Sequence, residues 1–122
     1  MKLTTSIIAG MLAAAMPALA HDVAKGPNGG RIADAGAYHV ELVANQYAVE
    51  VFVSDASDKP VSPAGFKGTA ILVVDGKPQR IALAPDGETR LAGKAAVVLP
   101  KEPKGVVQLS APNGKTAQAR FQ

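Results

Sequence analysis

The 122-residue chain contains no cysteine and no tryptophan. Without cysteine there is no disulfide framework, no thiolate nucleophile and no thiolate metal site, so its own apolar core must hold the fold. The aromatic residues, Tyr38, Tyr47, Phe52, Phe66 and Phe121, are too few and too scattered for a base-stacking platform. Long apolar runs are missing as well. The single run near the start, Ile7 to Met16, is well short of the ~20 residues that cross a bilayer. Charge is never massed: 13 Lys and Arg stand against 10 Asp and Glu, alternating in sign along the chain. That pattern does not indicate nucleic acid or an anionic membrane.

Catalytic motifs are absent too. There is no Gly-x-Ser-x-Gly elbow and no His-Glu-x-x-His helix, and Ser54, Ser57, Ser62 and Ser110 fall in loops or strand ends. Only two histidines, His21 and His39, are available to activate a nucleophile. The glycine-rich stretch Gly26–Arg31 lacks the Walker spacing and the dinucleotide fingerprint, and no helical pattern follows it. It reads as a turn leading into a strand. The expectation is a protein without enzymatic activity.

What is present begins with a secretory signal. Lys2 supplies the positive charge, Ile7–Met16 the apolar stretch, Pro17 a break, and Ala18-Leu19-Ala20 the small-x-small cleavage pattern. Residues 1–20 are expected to be removed, with no lipid anchor because no cysteine follows. The remaining chain of about 100 residues is one domain starting at His21. Residues 21–30 read as an arm and 31–122 as a folded domain, exported and soluble in the periplasm.

From Arg31 onward the apolar residues recur with period two. Tyr38, Val40 and Leu42 share one face, and His39, Glu41 and Val43 the other; Val49, Val51 and Val53 repeat the pattern. Thr69–Val74 is apolar on both faces and reads as a central strand. Shorter candidates follow at 79–84, 89–93, 95–99, 105–111 and 115–121. Turn signals separate them at Asp58-Lys59-Pro60, Asp75-Gly76, Pro85-Asp86-Gly87 and Asn113-Gly114. For the last of these, a three-residue loop 112–114 pairs Leu109 with Ala117 and Val107 with Ala119, keeping apolar against apolar. The fold class expected is all-β, an immunoglobulin-like antiparallel sandwich of seven to nine short strands.

The residues that can carry chemistry are few. Cleavage after Ala20 makes His21 the N-terminus, where one residue offers both an α-amine and a ring nitrogen. Two such nitrogens and a third imidazole form a planar set that suits Cu(II), and His39 is the only other imidazole. His39 and Glu41 lie on one strand face, about 7 Å apart. A hairpin pairing Leu42 with Val49 places Glu41 opposite Glu50. That juxtaposition of like charges calls for a cation, either a metal shared by His39, Glu41 and Glu50 or a basic side chain from a neighbouring strand. Asp22 and Asp34 offer further oxygens.

The segment Gly26-Pro27-Asn28-Gly29-Gly30-Arg31-Ile32, with His39-Val40-Glu41-Leu42 and Val51-Phe52-Val53-Ser54-Asp55 after it, resembles the GPxGG-containing β-domain of periplasmic adaptor subunits of heavy-metal efflux pumps. It also resembles small exported bacterial β-domain proteins. The adaptor pattern carries histidine where Asn28 stands here. A looser similarity is to CopC-type copper carriers, cysteine-free sandwiches whose N-terminal histidine ligates Cu(II). His21 is the residue that carries over; the Asp-x-His and Ser-x-Pro elements of those carriers are absent. These resemblances imply copper as the ion and a metal-efflux or copper-handling protein as partner. The expectation is thus a periplasmic copper-binding accessory using His21, His39, Glu41 and Glu50. A metal-free interaction module that docks a partner through its edges or polar faces is the alternative.

Overall fold

A computed structural model describes residues 24–122. Residues 1–20, expected to be a signal, lie outside the described residues, as do His21 and Asp22. The described chain is all-β, with eight strands: β1 (Arg31–Ala35), β2 (Tyr38–Asn45), β3 (Ala48–Ser54), β4 (Lys67–Val74), β5 (Lys77–Asp86), β6 (Arg90–Lys94), β7 (Lys104–Ser110) and β8 (Thr116–Phe121). All pairings are antiparallel, in the order β1-β2-β3-β6-β5-β4-β7-β8.

The two layers of this sandwich-like fold are joined through β5. Residues 77–83 pair with β4, whereas residues 84–86 pair with β6, so one long strand passes from layer to layer. At the far seam β1 packs against β8. Arg31 closes that seam: its guanidinium lies 5.7 Å above the Phe121 ring and donates to the carbonyls of Gln122 and Pro103. The sheet is thereby nearly a closed barrel, which leaves little unpaired edge.

Alternation sorts the side chains as the period-two pattern requires. Val40, Leu42, Val49, Val51 and Val53 turn inward and are buried, with Leu72, Val107, Leu109, Ala119 and Phe121 facing them from the other layer. Tyr38 and Phe66 meet edge to face, centroids 5.4 Å apart. The 69–74 stretch is central, flanked by β5 and β7. The last hairpin has the register expected of a three-residue loop, Leu109 opposite Ala117 and Val107 opposite Ala119.

Two expectations are corrected. Residues 95–99 form no strand but an irregular crossover from β6 to β7, held by Ala95 N–H to the Tyr47 carbonyl (2.7 Å) and Leu99 N–H to the Gln46 carbonyl (2.8 Å). Its apolar pattern reflects Ala95 and Leu99 plugging the end of the core, with Val98 left outside. The β2–β3 hairpin closes through Gln46 and Tyr47, pairing Asn45 with Ala48. Leu42 therefore faces Val51, not Val49, and Glu41 faces Phe52, not Glu50. The shift is by two residues, so parity survives: the same side chains face inward in either register. Gln46 takes a left-handed conformation (φ 55°) in this two-residue turn.

Candidate functional site

The outer face of β1, β2 and β3 carries Asp34, His39, Glu41 and Glu50, since positions of one parity share a face. The fold gives each a different neighbour.

Glu41 is buried, 4% exposed, under the turn made by residues 26–30. Its carboxylate accepts three hydrogen bonds: Oε2 from the backbone N–H of Asn28 (2.9 Å) and of Gly30 (2.8 Å), and Oε1 from the Asn28 side-chain amide (2.9 Å). The turn is closed on itself by Gly29 N–H to the Gly26 carbonyl and Gly26 N–H to the Gly30 carbonyl. A Cβ on Gly26 would lie 2.1 Å from the Glu41 carboxyl carbon, and one on Gly30 would lie 2.3 Å from the Leu42 carbonyl oxygen. The Gly-Pro-Asn-Gly-Gly sequence is thus a carboxylate clasp: glycines where backbone must approach closely, and amides aimed at one buried anion. No buried side-chain polar atom among the described residues lacks a partner.

Asp34 lies opposite His39 in the β1–β2 ladder, and His39 Nδ1 stands 2.6 Å from Asp34 Oδ1. A carboxylate only accepts, so Nδ1 carries a proton, and in the neutral ring the lone pair is then on Nε2. Nε2 in turn lies 3.8 Å from Oδ1 of Asp58, whose side chain is 86% exposed. Asp58 is held in place by its loop. Asp55 Oδ1 accepts from the N–H groups of Ser57 (2.9 Å) and Lys59 (3.0 Å), and Asp58 sits at φ 63°, a conformation aspartate tolerates. A half-buried imidazole with an orienting carboxylate on one nitrogen and a free oxygen near the other has the form of an incomplete metal ligand set.

Glu50 is elsewhere. It lies opposite Val43, and its Oε2 is 3.1 Å from Nη1 of Arg90 on β6. Arg90 also reaches Asp86, Nη2 at 3.0 Å and Nε at 3.1 Å. The hydrogen bond to Asp86, then the charge of Glu50, raises the Arg90 guanidinium further above its already high value. A basic side chain from a neighbouring strand, rather than a bridging ion, satisfies Glu50.

The structure brings His39 together with Asp34, and near Asp58. It does not bring His39, Glu41 and Glu50 to one point, and among the described residues no three His, Asp or Glu side chains form a group that holds a metal. Asp58 is the residue that sequence reasoning passed over. Its only signal was the Asp58-Lys59-Pro60 turn, whose place beside His39 depends on the bridge between Ser54 and Pro60. No family model matches the chain, and no curated protein or solved structure does.

Proposed function

We propose that the mature protein is a periplasmic accessory that binds copper and holds it or hands it on, without catalysis. Its donors are the α-amine and ring of His21 and the Nε2 of His39, with Asp58 as an oxygen donor and Asp34 orienting the ring. The observation that carries this reading is the Asp34–His39 contact of 2.6 Å, which commits Nδ1 and leaves Nε2 free beside the Asp58 carboxylate. Glu41 and Glu50, engaged by the clasp and by Arg90, have no part in it.

The path of the arm supports a role for His21. Ala24 accepts from the N–H of Ile32 (2.7 Å) and Lys25 bridges Arg31, so residues 24 and 25 lie antiparallel to the start of β1. His21 is three residues from Ala24, a tether of at most about 10 Å. From Ile32 to Asp34 is about 7 Å along the strand. A partner that shuttles or exports metal suits a protein that supplies an incomplete, exposed ligand set.

Titration of Cu(II) into the mature protein by calorimetry is expected to show one tight site. One added residue before His21, or His39→Ala, should weaken it by about a hundredfold or more, at or beyond the top of the range for losing an outer-shell partner. Asp34→Asn should weaken it by about tenfold. Absence of saturable binding by the parent protein, or full binding by the extended protein, overturns the reading. The metal-free interaction module would then stand, favoured by exposed Val98 and Tyr47 beside a concavity of about 460 Å³ between the arm turn and the 95–101 crossover.

A further inference from the structure

Charges that alternate along the chain are sorted by the fold. On the outer face of β4, β7, β8 and the part of β5 that pairs with β4, the outward positions include Lys67, Arg80, Lys104 and Arg120 and no Asp or Glu. All four cations are exposed, and none is paired with a carboxylate among the described residues. The carboxylates Asp34, Glu41, Glu50 and Asp58 belong to the opposite layer.

The sheet geometry sets the spacing of these cations. Arg80, Ile71, Val106 and Arg120 form one row across four strands, which separates the Cα atoms of the two arginines by about 14 Å. Lys67 and Lys104 stand six residues apart along the strand direction, about 20 Å. Within that frame lies a shallow groove of about 420 Å³, whose floor includes Thr69, Gln108, Ser110, Thr116 and Gln118 with Lys67 at its end. Thr69, Gln108 and Gln118 are in register across three strands. Hydroxyls and amides both donate and accept, so this floor matches a ligand whose groups also do both.

We propose that this face binds an acidic polysaccharide: sugar hydroxyls on the Thr, Ser and Gln rows, carboxylates on the surrounding Lys and Arg. An acidic protein surface fits less well, because the face has no aromatic residue or Met to form the apolar centre of a protein interface. An anionic membrane fits less well for a related reason: the face has no aromatic residue, and of its apolar outward side chains Ile71 and Val106 are half-buried, which leaves Val73 as the well-exposed one. The proposal is independent of copper binding, which involves the other layer.

The test is calorimetric titration of the mature protein with polygalacturonate, with neutral dextran and phosphatidylglycerol vesicles alongside. Saturable binding to polygalacturonate is expected, weakening steeply with added salt, and none to dextran. The double variant Lys67→Glu/Arg120→Glu should bind at least about tenfold more weakly. Gln108→Ala/Gln118→Ala, at unchanged charge, should lose about threefold or more. Both variants alter exposed or half-buried surface, and their thermal unfolding and Cu(II) affinity should match the parent. No binding to polygalacturonate overturns the proposal. So does a Gln variant that binds as the parent does, since the face would then be a featureless cationic surface. Equal binding to the vesicles overturns it in favour of a lipid surface.

Discussion

Glu41→Ala is expected to lower the folding free energy by about 3 kcal/mol, whereas Glu41→Gln should cost about 1 kcal/mol. Alanine removes the acceptor for three N–H donors, of which the Gly30 amide is buried and has no water to turn to. Glutamine keeps a carbonyl oxygen for the two backbone amides, and the Asn28 side chain can rotate to present its own oxygen to the new NH2. For a domain of about 100 residues the alanine variant should melt about 15 °C lower. Gly26→Ala should resemble it, because the added methyl collides with the Glu41 carboxyl group at 2.1 Å. Thermal and urea unfolding of the three variants decides the matter. If Glu41→Ala melts within a few degrees of the parent, the clasp is not what holds the arm.

The second large effect lies in the opposite layer. Gly105→Ala is expected to cost about 4 kcal/mol, combining backbone strain with overpacking. Gly105 sits at φ 150° between Leu72 on β4 and Phe121 on β8, and a Cβ there would be 2.0 Å from the Ile71 carbonyl oxygen and 2.9 Å from the Leu72 Cα. Those atoms are backbone on a central strand and cannot rotate away, as a flexible side chain would. Gly114→Ala provides the comparison: the same residue type in a left-handed turn (φ 83°), with nothing within 4 Å, should lose only about 1 kcal/mol. Chemical denaturation of the pair separates collision from conformational strain. Equal losses at the two positions would sink the argument.

Strand positions were legible wherever inside and outside differ in polarity. Val40 and Leu42 flank Glu41, Val49 and Val51 flank Glu50, and the 107–119 hairpin keeps apolar pairs only in one register. The β2–β3 register was not legible. Apolar residues occupy the inward positions in both candidate registers, and the choice rests on a left-handed Gln46 that no residue type announces. Residues 95–99 misled for the opposite reason, since two buried plugs at Ala95 and Leu99 look the same in sequence as a short strand.

The candidate site was half visible. His39 stood out because imidazoles are so few, and Glu41 because a carboxylate on a strand face invites a partner. That the partner would be a ring of amides from Asn28 and Gly30 could not be read, as hydrogen bonds across 11 and 13 residues depend on how the arm folds over β2. Asp58 was hidden for the same reason, reaching His39 from a loop beyond β3.

By itself the sequence determined the chemistry available: no thiols, two imidazoles, few aromatics, and a period-two alternation that forces strands with one apolar side. Tertiary structure alone decided which charges meet. Glu41 met amides and Glu50 met Arg90, while Lys67, Arg80, Lys104 and Arg120 were gathered on one face free of carboxylates. The physical reason is range. Burial is enforced residue by residue along the chain, whereas the distance between two charges is set by strand order and register, which only the closed sheet supplies.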